Sequence, residues 1–261
     1  QLQGQHVLIL GLGASGLAMA RWCAMAGADV TVADTRDAPP QLATLQAEWP
    51  AVRFVSGPFG ASLVEGASVR AVFRSPGLAP EVVAPVVDAA RSMGLWQGGE
   101  LSLFAAGLQD LKARFGYAPQ VLAITGTNGK TTVTSLTGQL VARAGKTVKV
   151  AGNIGPTLLD TLTEANAQAQ AQVEQEAAER AAAEHANPDL LSEQPLVTVA
   201  PETVTPVQAQ DEPASEATDA DETDEAPDSL DDEAAAELPL PVAPAVQDPM
   251  AQALPQVWVL E

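Results

Sequence analysis

Apolar residues run along the chain in short unbroken blocks, set between glycine-bearing turns and longer stretches of helical spacing. Residues 6–10, His-Val-Leu-Ile-Leu, are too few for a stable helix and are almost wholly apolar, which predicts a buried strand. The run ends in Gly11-Leu-Gly-Ala-Ser-Gly16, after which Leu17, Ala20, Trp22, Cys23 and Ala26 recur on one helical face that Gly27 closes. Residues 29–34 read as the next strand, 52–55 and 71–73 as two more, 80–93 as a helix and 100–106 as a short helix. Strand and helix in alternation predict a parallel sheet covered by helices. Beyond a connector at 112–119 the pattern restarts, with a strand at 120–125, the loop GTNGKTT at 126–132, a helix at 132–144 closed by Gly145, and a strand at 147–150. Two successive strand, glycine-loop and helix units predict two nucleotide-type domains in tandem.

Composition changes this picture after residue 163. Residues 165–186 are rich in Ala, Gln and Glu and compatible with helix, whereas 187–255 mix Pro, Asp, Glu, Ala and Thr with very few aromatics. Such a stretch buries too little apolar surface to offset its chain entropy, so 164–255 is expected to be a mostly disordered insertion. Residues 256–260 (Gln-Val-Trp-Val-Leu) then restore a strand-like run, which makes the segment an insertion between two pieces of one domain, and long surface insertions cost little. The charge follows the same division: 161–256 hold 22 of the 33 Asp and Glu residues but only Arg180 of the 13 Lys and Arg residues. The net charge of −20 therefore belongs to one segment, and the chain as a whole is not expected to engage nucleic acid.

Cys23 sits in an apolar helical stretch and reads as a small buried hydrophobe. The apolar run from Val7 to Gly27 is broken by glycines and Arg21, so neither a membrane span nor a signal segment is expected, and a cytoplasmic monomer is. Because the sequence opens on Gln1 and stops at Glu261 within an apolar run, it is expected to be a fragment.

Two loops carry chemistry. Gly11 to Gly16 fit G-x-G-x-x-G between a strand and a helix, with Asp34 closing the next strand at the distance of a ribose-binding acid. Glycines let backbone approach a diphosphate and the helix N-terminus supplies N–H donors. Any nucleotide diphosphate satisfies that, a UDP-sugar as well as NAD(P), and so does a tight turn with no ligand. In the second loop, Gly126, Thr127, Asn128, Gly129, Lys130, Thr131 and Thr132 form an expected ATP site: backbone N–H groups face phosphate, Lys130 reaches the β- and γ-phosphates, and the Thr131 hydroxyl is placed for Mg²⁺. The loop departs from G-x-x-x-x-G-K-[ST], because Ile124 stands where the first Gly belongs.

That shortened form, TGTNGKTT after an apolar strand, resembles the ATP loop of the Mur ligase and folylpolyglutamate synthase superfamily. Asp34-Thr35-Arg36, Ser75-Pro76-Gly77 and Gly152-Asn153-Ile154-Gly155 are similar to the D-glutamate-adding branch of the Mur ligases. The resemblance implies that Gly13, Ala14, Ser15, Asp34, Thr35, Arg36, Ser75 and Gly77 line a UDP-sugar pocket, and that Lys130 and Asn153 serve the catalytic centre near the ATP phosphates. It also implies that Glu261, at the end of Val-Trp-Val-Leu-Glu, joins Thr131 at Mg²⁺. The fold it implies is α/β, in four parts. A Rossmann-like UDP-sugar domain at 1–111 precedes the start of a P-loop ATPase-type domain at 112–163, the acidic insertion at 164–255, and a returning strand at 256–261. The implied reaction is ATP-dependent addition of D-glutamate to UDP-N-acetylmuramoyl-L-alanine through an acyl phosphate, in peptidoglycan synthesis. The resemblance implies that the rest of the central ATPase domain, with the family's remaining metal ligands, and the C-terminal amino-acid domain are expected to lie outside this sequence, since His6 lies in the first strand and His185 in the insertion and neither substitutes. Other readings of the same residues are a different Mur or folylpolyglutamate-type ligase, an NAD(P) oxidoreductase module, and a non-enzymatic scaffold built around the acidic segment.

Overall fold

The computed structural model describes residues 2–152, 155–186 and 248–261. Two parallel sheets organise them. The first is built from β1 (His6–Leu10), β2 (Asp29–Asp34), β3 (Arg53–Ser56), β4 (Val69–Arg74) and β5 (Trp96–Gly98), in the order β3-β2-β1-β4-β5. Every pairing is parallel, with Leu10 opposite Ala33 on one side and Arg74 on the other. Helices α1 (Ala14–Met25), α2 (Leu42–Glu48), α3 (Pro80–Ser92) and α4 (Glu100–Phe115) cover it. Alternate residues of β1 supply two cores: Val7 and Ile9 pack with Leu17, Met19 and Phe104, whereas Leu8 and Leu10 pack with Val83 and Val86. A strand buried on both faces has to be apolar throughout, which is why 6–10 reads as an unbroken run.

The second sheet has β6 (Gln120–Ala123), β7 (Val148–Ala151) and β8 (Val257–Leu260) in the order β6-β8-β7, again parallel. Helix α5 (Lys130–Arg143) joins β6 to β7, and α6 (Leu158–Ala186) leads away from β7. The strand that is last in sequence is central in space. Trp258 on β8 is fully buried, edge-on to Phe104 of α4 at 5.1 Å, and its indole N–H donates to the Tyr117 hydroxyl at 2.7 Å. That hydroxyl donates in turn to the Pro255 carbonyl at 2.5 Å, so the indole and phenol are satisfied inside the core.

Several boundaries differ from expectation. α4 continues to Phe115, past the expected end at 106 and through the expected domain boundary at 111. Gly107 does not stop it, because that glycine makes room: a Cβ there would lie 2.8 Å from the Trp22 ring and 2.9 Å from Leu162. The insertion also narrows. α6 buries Leu159, Leu162, Ala165 and Ala169 at helical spacing, so its first three turns are core. Before β8, a short helix α7 (Pro249–Ala253) is capped by Asp248, which accepts from the Met250 N–H at 2.8 Å, and it buries Met250 and Leu254. The expected disorder of 187–247 lies outside the described residues. Among the described residues no helix is long and apolar enough to cross a membrane.

Candidate functional site

In an open parallel sheet the ligand crevice forms at the carboxyl ends of the strands, where the order reverses. In the first sheet that point lies between β1 and β4, and the expected UDP-sugar residues meet around it. Gly13 is the N-cap of α1, and Ala14 and Ser15 form the first helical turn, with no capping side chain and no acidic residue there. The helix end keeps its N–H donors and partial positive charge for an anion. A Cβ at Gly13 would have no atom within 4 Å, so the cradle is open on that side. Gly16 has the opposite role: its Cβ would run into the Gly11 carbonyl and come within 3.0 Å of Ser75 Oγ. Ser75 is buried and donates to the Gly11 carbonyl at 3.0 Å, so it braces the loop from β4, while Gly77 stays open beside it.

Asp34 lies at the end of β2 and is almost fully buried. One carboxylate oxygen accepts from the Leu12 N–H at 2.7 Å and from Arg36 Nη2 at 2.8 Å; the other accepts from the Arg36 N–H at 2.9 Å and Nε at 2.8 Å. The Arg36 guanidinium, helped by the two backbone donors, holds the carboxyl down at about 2 against the cost of burial. The sequence places Asp34 as a ligand-binding acid, but in the structure it fastens the glycine loop to Arg36. Arg36 and Thr35 are exposed at the rim, where they are available to a ligand.

The carboxyl ends of β6, β8 and β7 form the second site. Gly126, Thr127 and Asn128 are exposed in the loop after β6. Gly129, at φ +73°, turns the chain into α5 in a conformation that a side chain would strain. Lys130, Thr131 and Thr132 are the first residues of the helix, which therefore starts two residues earlier than expected and again has neither a side-chain cap nor an acidic first turn. Lys130 Nζ donates to the Gly126 carbonyl at 2.8 Å, folded back over the loop it would share with phosphate. The Thr131 hydroxyl donates to Glu261 Oε1 at 3.4 Å, so a residue 130 positions away in sequence arrives at the loop on the central strand. Gly152 follows β7, and a Cβ there would collide with the Glu261 backbone, whose N lies 2.9 Å away. Asn153 lies outside the described residues.

The other oxygen of Glu261, Oε2, is buried and has no hydrogen-bond partner among the described residues. A buried carboxylate oxygen without a donor is costly, and here a hydroxyl stands beside it. Hard oxygen donors of this kind suit Mg²⁺, which takes one or two carboxylates and completes its shell with phosphate and water. Thr131 and Glu261 thus fit the ion. Among the described residues no group of three or more His, Cys, Asp or Glu could hold a metal. His6 is engaged at the opposite end of the first sheet by Ser68 and Thr31, and burial raises the Cys23 thiol to about 12, which leaves it inert.

Sequence reasoning missed the bracing roles of Ser75, Asp34 and Tyr117. Only the apolar setting of Asp34, at the end of Asp-Val-Thr-Val-Ala-Asp, signalled burial.

Residues 5–96 match the Mur ligase MurD-like N-terminal domain, and residues 124–205 match the Mur ligase middle domain. A UDP-N-acetylmuramoylalanine--D-glutamate ligase of Albidiferax ferrireducens is 70% identical over 161 residues, covering 62% of this chain and 32% of its own. Ligases of the same name from Polaromonas sp. and Ralstonia nicotianae are 48% and 58% identical over 248 and 165 residues, and 42% and 33% of their lengths are covered. The chain thus spans about a third to two fifths of the length of these relatives. Two consecutive matches of this kind show that the chain carries a Mur ligase MurD-like N-terminal domain followed by Mur ligase middle-domain sequence.

Proposed function

We propose that this chain serves an ATP-dependent amide-bond-forming ligase that adds D-glutamate to UDP-N-acetylmuramoyl-L-alanine in peptidoglycan synthesis. The observation that carries the reading is the second site: an uncapped helix N-terminus, Lys130, and the Thr131–Glu261 pair with its orphaned buried oxygen. It asks for a metal-bound polyphosphate, which a hydride-transfer module has no use for. The first site agrees. Both oxygens of Asp34 are engaged within the protein, so the acid that would read a nicotinamide ribose has little left to offer.

In this reading ATP phosphorylates the alanine carboxylate of the UDP-sugar, and the D-glutamate amine then displaces phosphate from the acyl phosphate. Such chemistry rests on positioning and charge neutralisation more than on a side-chain nucleophile. The α1 N-terminus, Thr35, Arg36 and Gly77 hold the diphosphate and uridine end of one substrate. Lys130 leaves the Gly126 carbonyl and takes up the β- and γ-phosphates, and the α5 N-terminus donates to them. Bound at Thr131 and Glu261, Mg²⁺ would neutralise phosphate charge. Asn153 is assigned to the same centre, near the phosphates and the reacting carboxylate.

Calorimetric titration of the chain with UDP-N-acetylmuramoyl-L-alanine and separately with NADH tests the reading. Saturable binding of the sugar nucleotide, weakened about tenfold by Arg36→Ala, is expected. Binding of NADH alone would make the first lobe a dehydrogenase module.

A further inference from the structure

Where the two lobes meet, one carboxylate joins two helix starts. Glu100 is the first residue of α4, immediately after β5 and the Gly99 N-cap, and its Oε1 accepts from the Leu159 N–H at 3.0 Å, in the first turn of α6. Thr157 caps the same turn, its hydroxyl accepting from the Asp160 N–H at 3.2 Å. Arg21 of α1 reaches Asp160 at 3.3 Å from the first lobe. Every one of these contacts fixes the start of α6. A carboxylate between two positive helix ends is electrostatically well placed, and it satisfies a donor that the helix itself cannot.

The start of α6 adjoins the ATP side of the molecule. Pro156, just before Thr157, accepts from the Gly152 N–H at 3.3 Å, which ties the residue after β7 to the start of α6. Gly152 packs directly on the backbone of Glu261, and the Glu261 N–H donates to the Ala151 carbonyl at 3.2 Å. Glu261 meets Thr131 at 3.4 Å. An unbroken series of contacts thus runs from Glu100 through α6 and Gly152 to the Thr131–Glu261 pair. Moving the first turn of α6 would move the residue against which Glu261 is packed.

We propose that Glu100 is a positioning residue for the metal-nucleotide site: from the sugar-nucleotide lobe it holds the first turn of α6, and through Gly152 it sets the place of Glu261 beside Thr131. The proposal rests on the ligase reading of the second site. In this role Glu100 acts through α6, so its loss is expected to fall on the ligand of the second site and not on that of the first.

Titration of the wild-type chain, Glu100→Ala and Glu100→Gln with ATP and Mg²⁺, and separately with UDP-N-acetylmuramoyl-L-alanine, tests it, with a thermal melt of each variant. We expect Glu100→Ala to weaken ATP·Mg²⁺ binding about five- to tenfold while the sugar nucleotide binds within twofold of wild type. Glu100→Gln keeps an acceptor for the Leu159 N–H and should recover most of the loss. Unchanged ATP·Mg²⁺ affinity in a folded Glu100→Ala chain overturns the proposal, and so does an equal loss for both ligands, which would mark a purely structural residue. If Glu100→Ala does not fold, Glu100→Asp, whose shorter carboxylate loses the Leu159 N–H, decides: weaker ATP·Mg²⁺ binding with the sugar nucleotide unchanged supports the positioning role, and unchanged ATP·Mg²⁺ affinity or equal weakening of both ligands refutes it. A wild-type chain that binds the sugar nucleotide but not ATP·Mg²⁺ refutes the reading of the second site and this proposal with it.

Discussion

The two glycine loops occupy equivalent places on two parallel sheets, yet they are finished to different degrees. Around the first, the protein's own side chains brace the loop. Asp34 is saturated by Leu12 and Arg36, Ser75 bonds the Gly11 carbonyl, and Leu10 and Leu12 are fully buried beneath. Around the second, the loop is exposed, Lys130 rests on the loop's own backbone, and a buried oxygen of Glu261 lacks a partner among the described residues. A braced loop is held in place before its ligand arrives and can select by shape. An open one relies on the ligand's charge and metal to complete it, so affinity there should depend on ions far more than at the first.

The sharpest way to break this contrast is at the second loop. Lys130→Ala removes the one ammonium placed for phosphate, and ATP affinity is expected to fall a hundredfold or more by calorimetry, with the sugar nucleotide unaffected. Glu261→Gln should lower ATP affinity about tenfold in Mg²⁺ and little in EDTA, because the amide keeps the shape but not the charge of the metal ligand. A comparable loss in EDTA would separate Glu261 from the metal.

At the first loop the effects should fall on folding. Gly16→Ala drives a methyl into the Gly11 carbonyl and should cost about 2–4 kcal/mol in urea unfolding. Asp34→Asn tests the saturated carboxylate. Its acid limit in the folded chain lies near 2, below the unfolded value, so the stability it contributes is complete above about pH 4 and is lost as pH falls through 2. The half-exposed guanidinium screens part of this, leaving about 1–2 kcal/mol. The Asn variant should be less stable at pH 7 by that amount and should lose the corresponding slope between pH 4 and 2. An effect of about 1–2 kcal/mol is expected from Tyr117→Phe, which keeps the ring and removes only the hydroxyl between the Trp258 N–H and the Pro255 carbonyl.

How much of this was legible in the sequence varies with the range of the physics. Both loops, and the strands that feed them, follow from local rules: apolar runs, glycine spacing and helix caps. The start of α5 was placed late because Thr131 and Thr132 are weak helix formers, whereas the ladder begins at Lys130. β5 is a three-residue edge strand and α2 a seven-residue helix, both too short for a periodic signal. α7 carried an Asp-Pro start signal, at Asp248 and Pro249, that was hidden in the composition of the acidic stretch. The arrival of Glu261 beside Thr131 was reached through resemblance, and no local pattern would place β8 at the centre of its sheet. The bracing of Asp34 by Arg36 had no local signal, because nothing in Asp-Thr-Arg says that the arginine turns back onto its neighbour.

The most direct measurement is a sequential titration of the wild-type chain, first with UDP-N-acetylmuramoyl-L-alanine to saturation and then with ATP and Mg²⁺. Two separate sites predict one sugar nucleotide and one ATP per chain, each bound without displacing the other. Displacement of one nucleotide by the other, or a single event in total, would contradict the assignment of two distinct nucleotide sites.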